Sequence, residues 1–283
     1  MSIIKPIGQY VKVDQDGFII NETSASHIDM HYWKSIEEAV DACIFHVKDH
    51  LQSIYLRGSV PKGQAIKYIS DLDMILVTKE PITNQVEAAL DNSLSEIAER
   101  HDVLSGIELN SVTAETLTGS REFSMMAFMI STQSVCMYGE HIKPKLPPFR
   151  ISRALANAHL LYVESHLASA RQDIVDNEDD PEDMLDCCSW IMKIIVRAGM
   201  ALKTVEAQRF SRDLYPAYLL FSQNFPALQE KMRLMLSYAI SPSGDRDELL
   251  TILKDAEGWL LPEVKKWMDE HNPDRNTNLR IND

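Results

Sequence analysis

The spacing of apolar residues divides the chain into two parts. Up to about residue 142, helical stripes alternate with short apolar runs, a pattern typical of strands packed against helices. Ser35 is predicted to cap the first helix, with Glu38 at the capping-box position. Helices are predicted over 36–52, 81–100 and 123–130, and strands over 54–57, 71–77, 103–112 and 134–140.

The second part begins after a proline-rich segment at 143–148, which is predicted to be a linker because proline interrupts both helices and central strands. Beyond it the pattern is helical throughout. Helices are predicted over 151–173, 184–206, 215–223, 227–238 and 245–271.

The net charge of the chain limits the classes of molecule that it is expected to bind. The chain of 283 residues carries 28 Lys and Arg against 42 Asp and Glu, a formal net charge of −14. A protein that grips a nucleic-acid backbone needs clustered cations, and no such cluster is present in the sequence. No nucleic-acid partner is therefore expected, whereas an acidic surface tolerates a small, cationic acceptor.

The cellular compartment of the protein is inferred from three further features of the sequence. The four cysteines lack the spacing of a metal site, and no apolar tract is long enough to cross a bilayer. The start of the sequence lacks the apolar core of a signal peptide. A cytoplasmic protein without a membrane partner is expected, and no pattern indicates its oligomeric state.

The candidate ligand-binding residues cluster where two predicted strands adjoin the loop that connects them. Gly58 and Ser59 follow the apolar run at 54–57, and a glycine there lets the backbone approach a ligand while Ser59 offers a hydroxyl and an N–H to a phosphate. Asp71 and Asp73 are two residues apart, so in a strand they share one face. Paired carboxylates repel unless a hard divalent cation lies between them, which predicts a nucleotide–Mg²⁺ site.

These residues resemble the signature of the DNA polymerase beta-like nucleotidyltransferase superfamily: an apolar strand, Gly58-Ser59, a spacer, and Asp71-Leu72-Asp73 in the next strand. The family's third carboxylate lies on a later strand, a position that Glu108 matches with Glu in place of the commoner Asp. The similarity covers about residues 36–142 and is closest in style to aminoglycoside-type adenylyltransferases with a C-terminal helical domain.

The resemblance implies an α+β fold with two domains. Residues 1–145 would form the catalytic nucleotidyltransferase domain, a small mixed sheet with flanking helices. Residues 149–283 would form an all-α domain that completes the cleft.

It also implies roles for the motif residues. Asp71 and Asp73 would bind Mg²⁺, and Gly58 and Ser59 would contact the triphosphate. Glu108 would either complete a second metal site or act as the general base on the acceptor hydroxyl.

Two cations of the helical part are candidates for the nucleotide. Lys193 and Arg197 are four residues apart and so lie on one helix face, where they can clamp a triphosphate or pair with nearby acids. Arg212 and Asp213 are further candidates for nucleotide or acceptor contact, although an aspartate that caps a helix and pairs with a local arginine is the more ordinary explanation.

The implied function is Mg²⁺-dependent transfer of a nucleoside monophosphate, AMP from ATP, to a hydroxyl of a small molecule, with release of pyrophosphate. Two alternatives stay open. The same fold modifies protein hydroxyls in antitoxin-type relatives, and a protein with this fold can also bind a nucleotide without turnover, as a sensor.

Overall fold

The computed structural model describes residues 4–177, 180–277 and 279–283. Residues 1–3, part of the start from which a cytoplasmic protein is expected, lie outside these ranges. The chain divides into two compact units. The sheet unit comprises Ile19–Phe149, and the helical unit comprises the described part of Met1–Phe18 together with Arg150–Asp283.

The sheet unit is built on four strands in the order β3-β2-β1-β4, which are β1 (Leu51–Arg57), β2 (Leu72–Thr78), β3 (Ile107–Thr113) and β4 (Ser134–Gly139). β1 runs antiparallel to both β2 and β4, whereas β2 and β3 are parallel. The sheet is therefore mixed, as predicted. Its two central strands, β1 and β2, are the apolar runs and are almost fully buried.

Two long helices cover one face of this sheet: α1 (Trp33–Val47) and α2 (Asn84–Arg100). They pack against alternate strand residues, including Ile54, Leu56, Leu72, Met74 and Leu76. Since successive side chains of a strand point to opposite faces, the residues between these positions project from the other face. The remaining helices of the unit are α3 (Ala114–Thr118) and α4 (Met125–Gln133).

The predicted cap of the first helix is wrong. α1 begins at Trp33, and Ser35 is a buried residue inside it whose hydroxyl donates to the carbonyl of Tyr32 (2.8 Å). Glu38 pairs with Arg100 on α2 (3.0 Å) and does not reach back to a cap. The aromatic pair Tyr32–Trp33 supplies apolar surface before the predicted start, so the helix extends further toward the N-terminus.

The helical unit confirms the all-α C-terminal part. Its helices are α5 (Arg153–Leu160), α6 (Val163–Asp176), α7 (Pro181–Ala207), α8 (Leu214–Asn224), α9 (Gln229–Ile240) and α10 (Arg246–His271). α7 is central and packs against the other five. The predicted helix over 151–173 is two helices, because the chain turns at Leu161 and Tyr162. Leu160 and Val163 are both buried at helical spacing, so the apolar period does not reveal the break. In the described part of the chain, none of the helices has both the length and the apolar character that a membrane span requires.

The structural units differ from the predicted domains in the first residues. The segment before Ile19 groups with the helices and not with the sheet. Val11 donates its N–H to the carbonyl of Phe210 (2.9 Å), and the Tyr10 hydroxyl donates to the carbonyl of Pro216 (3.0 Å). These bonds join positions about 200 residues apart, and no local sequence pattern predicts them. The catalytic role of either unit stays a prediction at this point.

The last residue of β4 gives a test of the sheet unit. Gly139 has a φ of +82°, and a Cβ there would lie 2.1 Å from the carbonyl oxygen of Gln52. We expect Gly139→Ala to lower the free energy of unfolding by at least about 2 kcal/mol, because it adds backbone strain and a clash with a carbonyl that cannot move freely. Urea denaturation measures this change.

The matched control is Gly106→Ala, because a Cβ at Gly106 meets no atom within 4 Å. It should change the free energy of unfolding by less than about 0.5 kcal/mol. Equal effects of the two substitutions would contradict the conformation assigned to Gly139.

Candidate functional site

A row of polar side chains crosses the sheet on the face opposite α1 and α2. Arg57 at the end of β1 is paired with Asp73 on β2, and Asp73 is paired with Glu108 on β3. Directly paired residues of neighbouring strands project to the same face. The apolar neighbours of Asp73, Leu72 and Met74, point into the core under α1 and α2 and so fix its carboxylate on the opposite face.

The three predicted acids lie together. Asp71, just before β2, joins Asp73 and Glu108, and each offers a carboxylate oxygen within 4.8 Å of the others. Asp71 and Glu108 are exposed and Asp73 is partly buried. An all-oxygen set of this kind suits a hard divalent cation such as Mg²⁺, whereas softer metals favour sulfur or imidazole. The residues present therefore fit the predicted ion.

Arg57 is the residue of this site that the sequence interpretation missed. Its Nη2 lies 2.7 Å from Asp73 Oδ1 and 3.0 Å from Glu108 Oε1, so one guanidinium bridges two of the three carboxylates. The signal available in the sequence is a charged residue at the end of an apolar strand, directly before Gly58. Strand register, which places Arg57 opposite Asp73, is needed to interpret it.

The Glu108 carboxylate accepts hydrogen bonds through only one of its two oxygens. Oε1 accepts hydrogen bonds from Arg57 Nη2 (3.0 Å) and from Asn110 Nδ2 (2.7 Å), whereas Oε2 has no partner among the described residues. Asn110 shares the face of Glu108, two positions further along β3. The Glu108 side chain is 55% exposed, so its second oxygen is accessible to a ligand.

The Gly58–Ser59 turn lies directly against Asp73. Gly58 has a φ of +83°, and a Cβ at this position would be 2.1 Å from Asp73 Oδ2. Only glycine allows the chain to turn this close to the carboxylate. Among the described residues, neither the N–H nor the hydroxyl of Ser59 has a hydrogen-bond partner, which leaves both able to bind an anion.

The predicted cations belong to the helical unit. Lys193 and Arg197 lie on α7 and are half-buried, and Arg197 donates through Nε and Nη2 to the carbonyl of Arg212 (3.4 and 3.3 Å). Asp213 precedes α8, but its side chain accepts from the N–H of Gln9 (3.0 Å) and makes no capping bond to α8. Asp213 therefore occupies the N-cap position of α8 without a side-chain capping bond, and the roles of Lys193, Arg197, Arg212 and Asp213 toward a ligand stay predictions.

A buried histidine accompanies these arginines. Burial, reinforced by the nearby Arg212 and Arg197 guanidinium groups, lowers the pKa of His159 from 6.5 to about 3. The ring packs against Phe210, with centroids 5.5 Å apart, and its Nε2 is enclosed without a hydrogen-bond partner among the described residues. His159 is therefore neutral at physiological pH and adds no third positive charge beside the two arginines.

Comparison with solved structures identifies a similar fold. The crystal structure of spectinomycin adenyltransferase AAD(9) from Enterococcus faecialis, with ATP and spectinomycin, matches 79% of this chain and 98% of its own chain, with a TM-score of 0.51 and 15% sequence identity. The predicted α+β fold, a small mixed sheet followed by a helical part, is confirmed. No protein-family model matches the sequence, and no curated protein matches it.

The buried histidine predicts a pH dependence of stability. Because the folded-state pKa of His159 lies below its ordinary value, the unfolded chain binds more protons between pH 6.5 and about 3. Stability is therefore lost as the pH falls through this window, by up to about 1.4 kcal/mol per pH unit. His159→Phe keeps a ring against Phe210 and removes the titration, so the variant should show a shallower decline in urea denaturation at pH 4.5 to 6.5.

The control for this measurement is His50→Phe, because the His50 side chain is 62% exposed. It should leave the slope of the unfolding free energy against pH unchanged. A His159→Phe variant with the wild-type slope would contradict the neutral, buried state of the ring.

Proposed function

We propose that this protein is a Mg²⁺-dependent nucleotidyltransferase that moves AMP from ATP to a hydroxyl of a small molecule and releases pyrophosphate. The observation that carries the proposal is the grouping of Asp71, Asp73 and Glu108 within 4.8 Å, next to a Gly58–Ser59 turn that presents unpaired donors. Acidic ligands beside a phosphate-binding turn are what phosphoryl transfer requires, because the reaction depends on positioning and on neutralising the triphosphate.

Asp71 and Asp73 would hold the ion. Bound there, Mg²⁺ supplies positive charge to the triphosphate oxygens. Ser59 would donate its N–H and hydroxyl to the phosphates, and Gly58 lets the backbone come close enough for that contact. Arg57 keeps the Asp73 carboxylate in place through its 2.7 Å ion pair.

Glu108 would act as the general base. Its Oε1 is engaged by Arg57 and Asn110, and its Oε2 is open to the acceptor. The acceptor oxygen attacks the α-phosphorus, the bond from that phosphorus to the bridging oxygen breaks, and pyrophosphate leaves with the electron pair. The hydroxyl proton passes to Glu108 Oε2.

Two observations support ATP and a small acceptor. The structural neighbour is a spectinomycin adenyltransferase with ATP and spectinomycin bound, and the present chain matches nearly all of it in fold. The net charge of −14 disfavours a nucleic-acid acceptor and suits a cationic, hydroxylated one. Lys193 and Arg197 would contribute to binding of the triphosphate.

The metal assignment is tested by Asp73→Asn. We expect it to lower Mg²⁺-dependent pyrophosphate release by at least about 100-fold, since the variant loses a charged ligand but keeps an oxygen for Arg57. Pyrophosphate release is measured with each nucleoside triphosphate against a panel of aminoglycosides, lincosamides and other hydroxylated metabolites. Candidate proteins belong in the same panel, because transfer to one of them would identify a protein-modifying enzyme.

Asp91→Asn on α2 is the matched control, an exposed aspartate changed in the same way, and it should retain full turnover. Full turnover by Asp73→Asn would refute the metal assignment. If ATP with Mg²⁺ raises the melting temperature but no acceptor supports turnover, the sensor alternative gains support.

The role of Glu108 is tested by Glu108→Gln. A general base contributes about 100- to 10,000-fold, so transfer should fall by that factor. Saturating ATP with Mg²⁺ should raise the free energy of unfolding of the wild-type protein by about 3 kcal/mol. Because Asp71 and Asp73 remain, the increase in Glu108→Gln should differ from the wild-type value by less than about 1 kcal/mol. Loss of this stabilisation together with activity would instead assign Glu108 to the metal.

A further inference from the structure

Arg57 occupies the position between two carboxylates where a bridging ion would bind. A single nitrogen, Nη2, contacts both Asp73 Oδ1 (2.7 Å) and Glu108 Oε1 (3.0 Å). Mg²⁺ binds carboxylate oxygens at about 2.1 Å, so an ion shared by these same two oxygens would overlap the guanidinium. The two cations therefore compete for one place.

The guanidinium is not free to leave that place. The Arg57 side chain is 11% exposed, and its Nε is enclosed without a hydrogen-bond partner among the described residues. A buried charge that loses its partner is strongly destabilising. Arg57 also ends a central strand, β1, that is paired on both sides, so its backbone cannot move aside easily.

Electrostatic repulsion leads to the same conclusion. Arg57 Nη2 lies 2.7 Å from Asp73 Oδ1 and 3.0 Å from Glu108 Oε1, so a divalent cation bound to these same two oxygens would lie directly beside a positive guanidinium. Like charges at such a separation repel, which disfavours a second ion between Asp73 and Glu108.

We propose that Arg57 takes the place of a second metal ion and limits this site to one divalent cation per bound nucleotide. The inference rests on the proposed function only in assuming that a nucleotide and a divalent cation bind here. Arg57 is a positioning residue: it fixes the Asp73 and Glu108 carboxylates and supplies, as a permanent cation, the charge that a second ion would bring. Asp71 and Asp73, together with the nucleotide phosphates, then hold the single ion.

The test counts bound Mn²⁺ by electron paramagnetic resonance, with α,β-methylene-ATP as a nucleotide that cannot be cleaved between its α- and β-phosphates. The wild-type protein should bind one Mn²⁺ per nucleotide at saturation. Arg57→Lys retains the charge and should also bind one. Arg57→Met removes the charge at similar length, so a second Mn²⁺ should bind.

Arg100→Met is the control, because Arg100 also pairs with a carboxylate at 3.0 Å, that of Glu38, but lies on α2 outside the acidic row. It should bind one Mn²⁺. A purely structural arginine would change the melting temperature on substitution but not the ion count. Two Mn²⁺ in the wild-type protein, or one in Arg57→Met, would overturn the proposal, and the wild-type count decides even if Arg57→Met does not fold.

Failure of this inference is distinguishable from failure of the proposed function. Pyrophosphate release with two Mn²⁺ bound to the wild-type protein would refute the role of Arg57 and keep the transferase. One bound Mn²⁺, with no pyrophosphate released in the presence of any acceptor of the panel, would support the role of Arg57 and count against the transferase. Absence of Mn²⁺ binding would overturn both.

Discussion

The contact between Arg57 and the Asp73 and Glu108 carboxylates is the interaction on which the acidic face of the sheet depends. Two like charges 4 Å apart repel by about 4 kcal/mol at the effective dielectric of a protein surface. Three carboxylates that approach within 4.8 Å of one another would therefore push β2 and β3 apart at this end. The 2.7 and 3.0 Å ion pairs of Arg57 offset much of that repulsion, and they join three adjacent strands.

Strand alternation keeps this charge out of the core. Leu72 and Met74 pack under α1 and α2, and Asp73 between them necessarily faces the opposite way. A shift of β2 by one residue would bury its carboxylate among apolar helices, which costs far more than any single contact gains. The apolar residues of the central strands therefore build the core and also orient the carboxylates toward the opposite face.

This alternation is also why so much of the site could be predicted. Asp71 and Asp73 are recognisable from their strand spacing next to apolar residues, and the Gly58–Ser59 turn marks the loop. Glu108 was identified through the resemblance to the nucleotidyltransferase superfamily, whose third carboxylate stands between apolar residues on a later strand. Features that depend on register or on distant partners could not be found in this way. Arg57 has meaning only once it is placed opposite Asp73, and Val11 reaches Phe210 across most of the chain. Ser35 was misassigned because a local capping pattern competes with the burial that decides where α1 begins.

In the helical unit it is cationic side chains, and not carboxylates, that lie close together. Arg197 donates through Nε and Nη2 to a neutral acceptor, the carbonyl of Arg212. His159 beside them stays uncharged because it is buried. Within each unit, charged and polar groups are therefore set by the fold: ion pairs across adjacent strands hold the carboxylates of the sheet unit, and burial keeps His159 neutral in the helical unit.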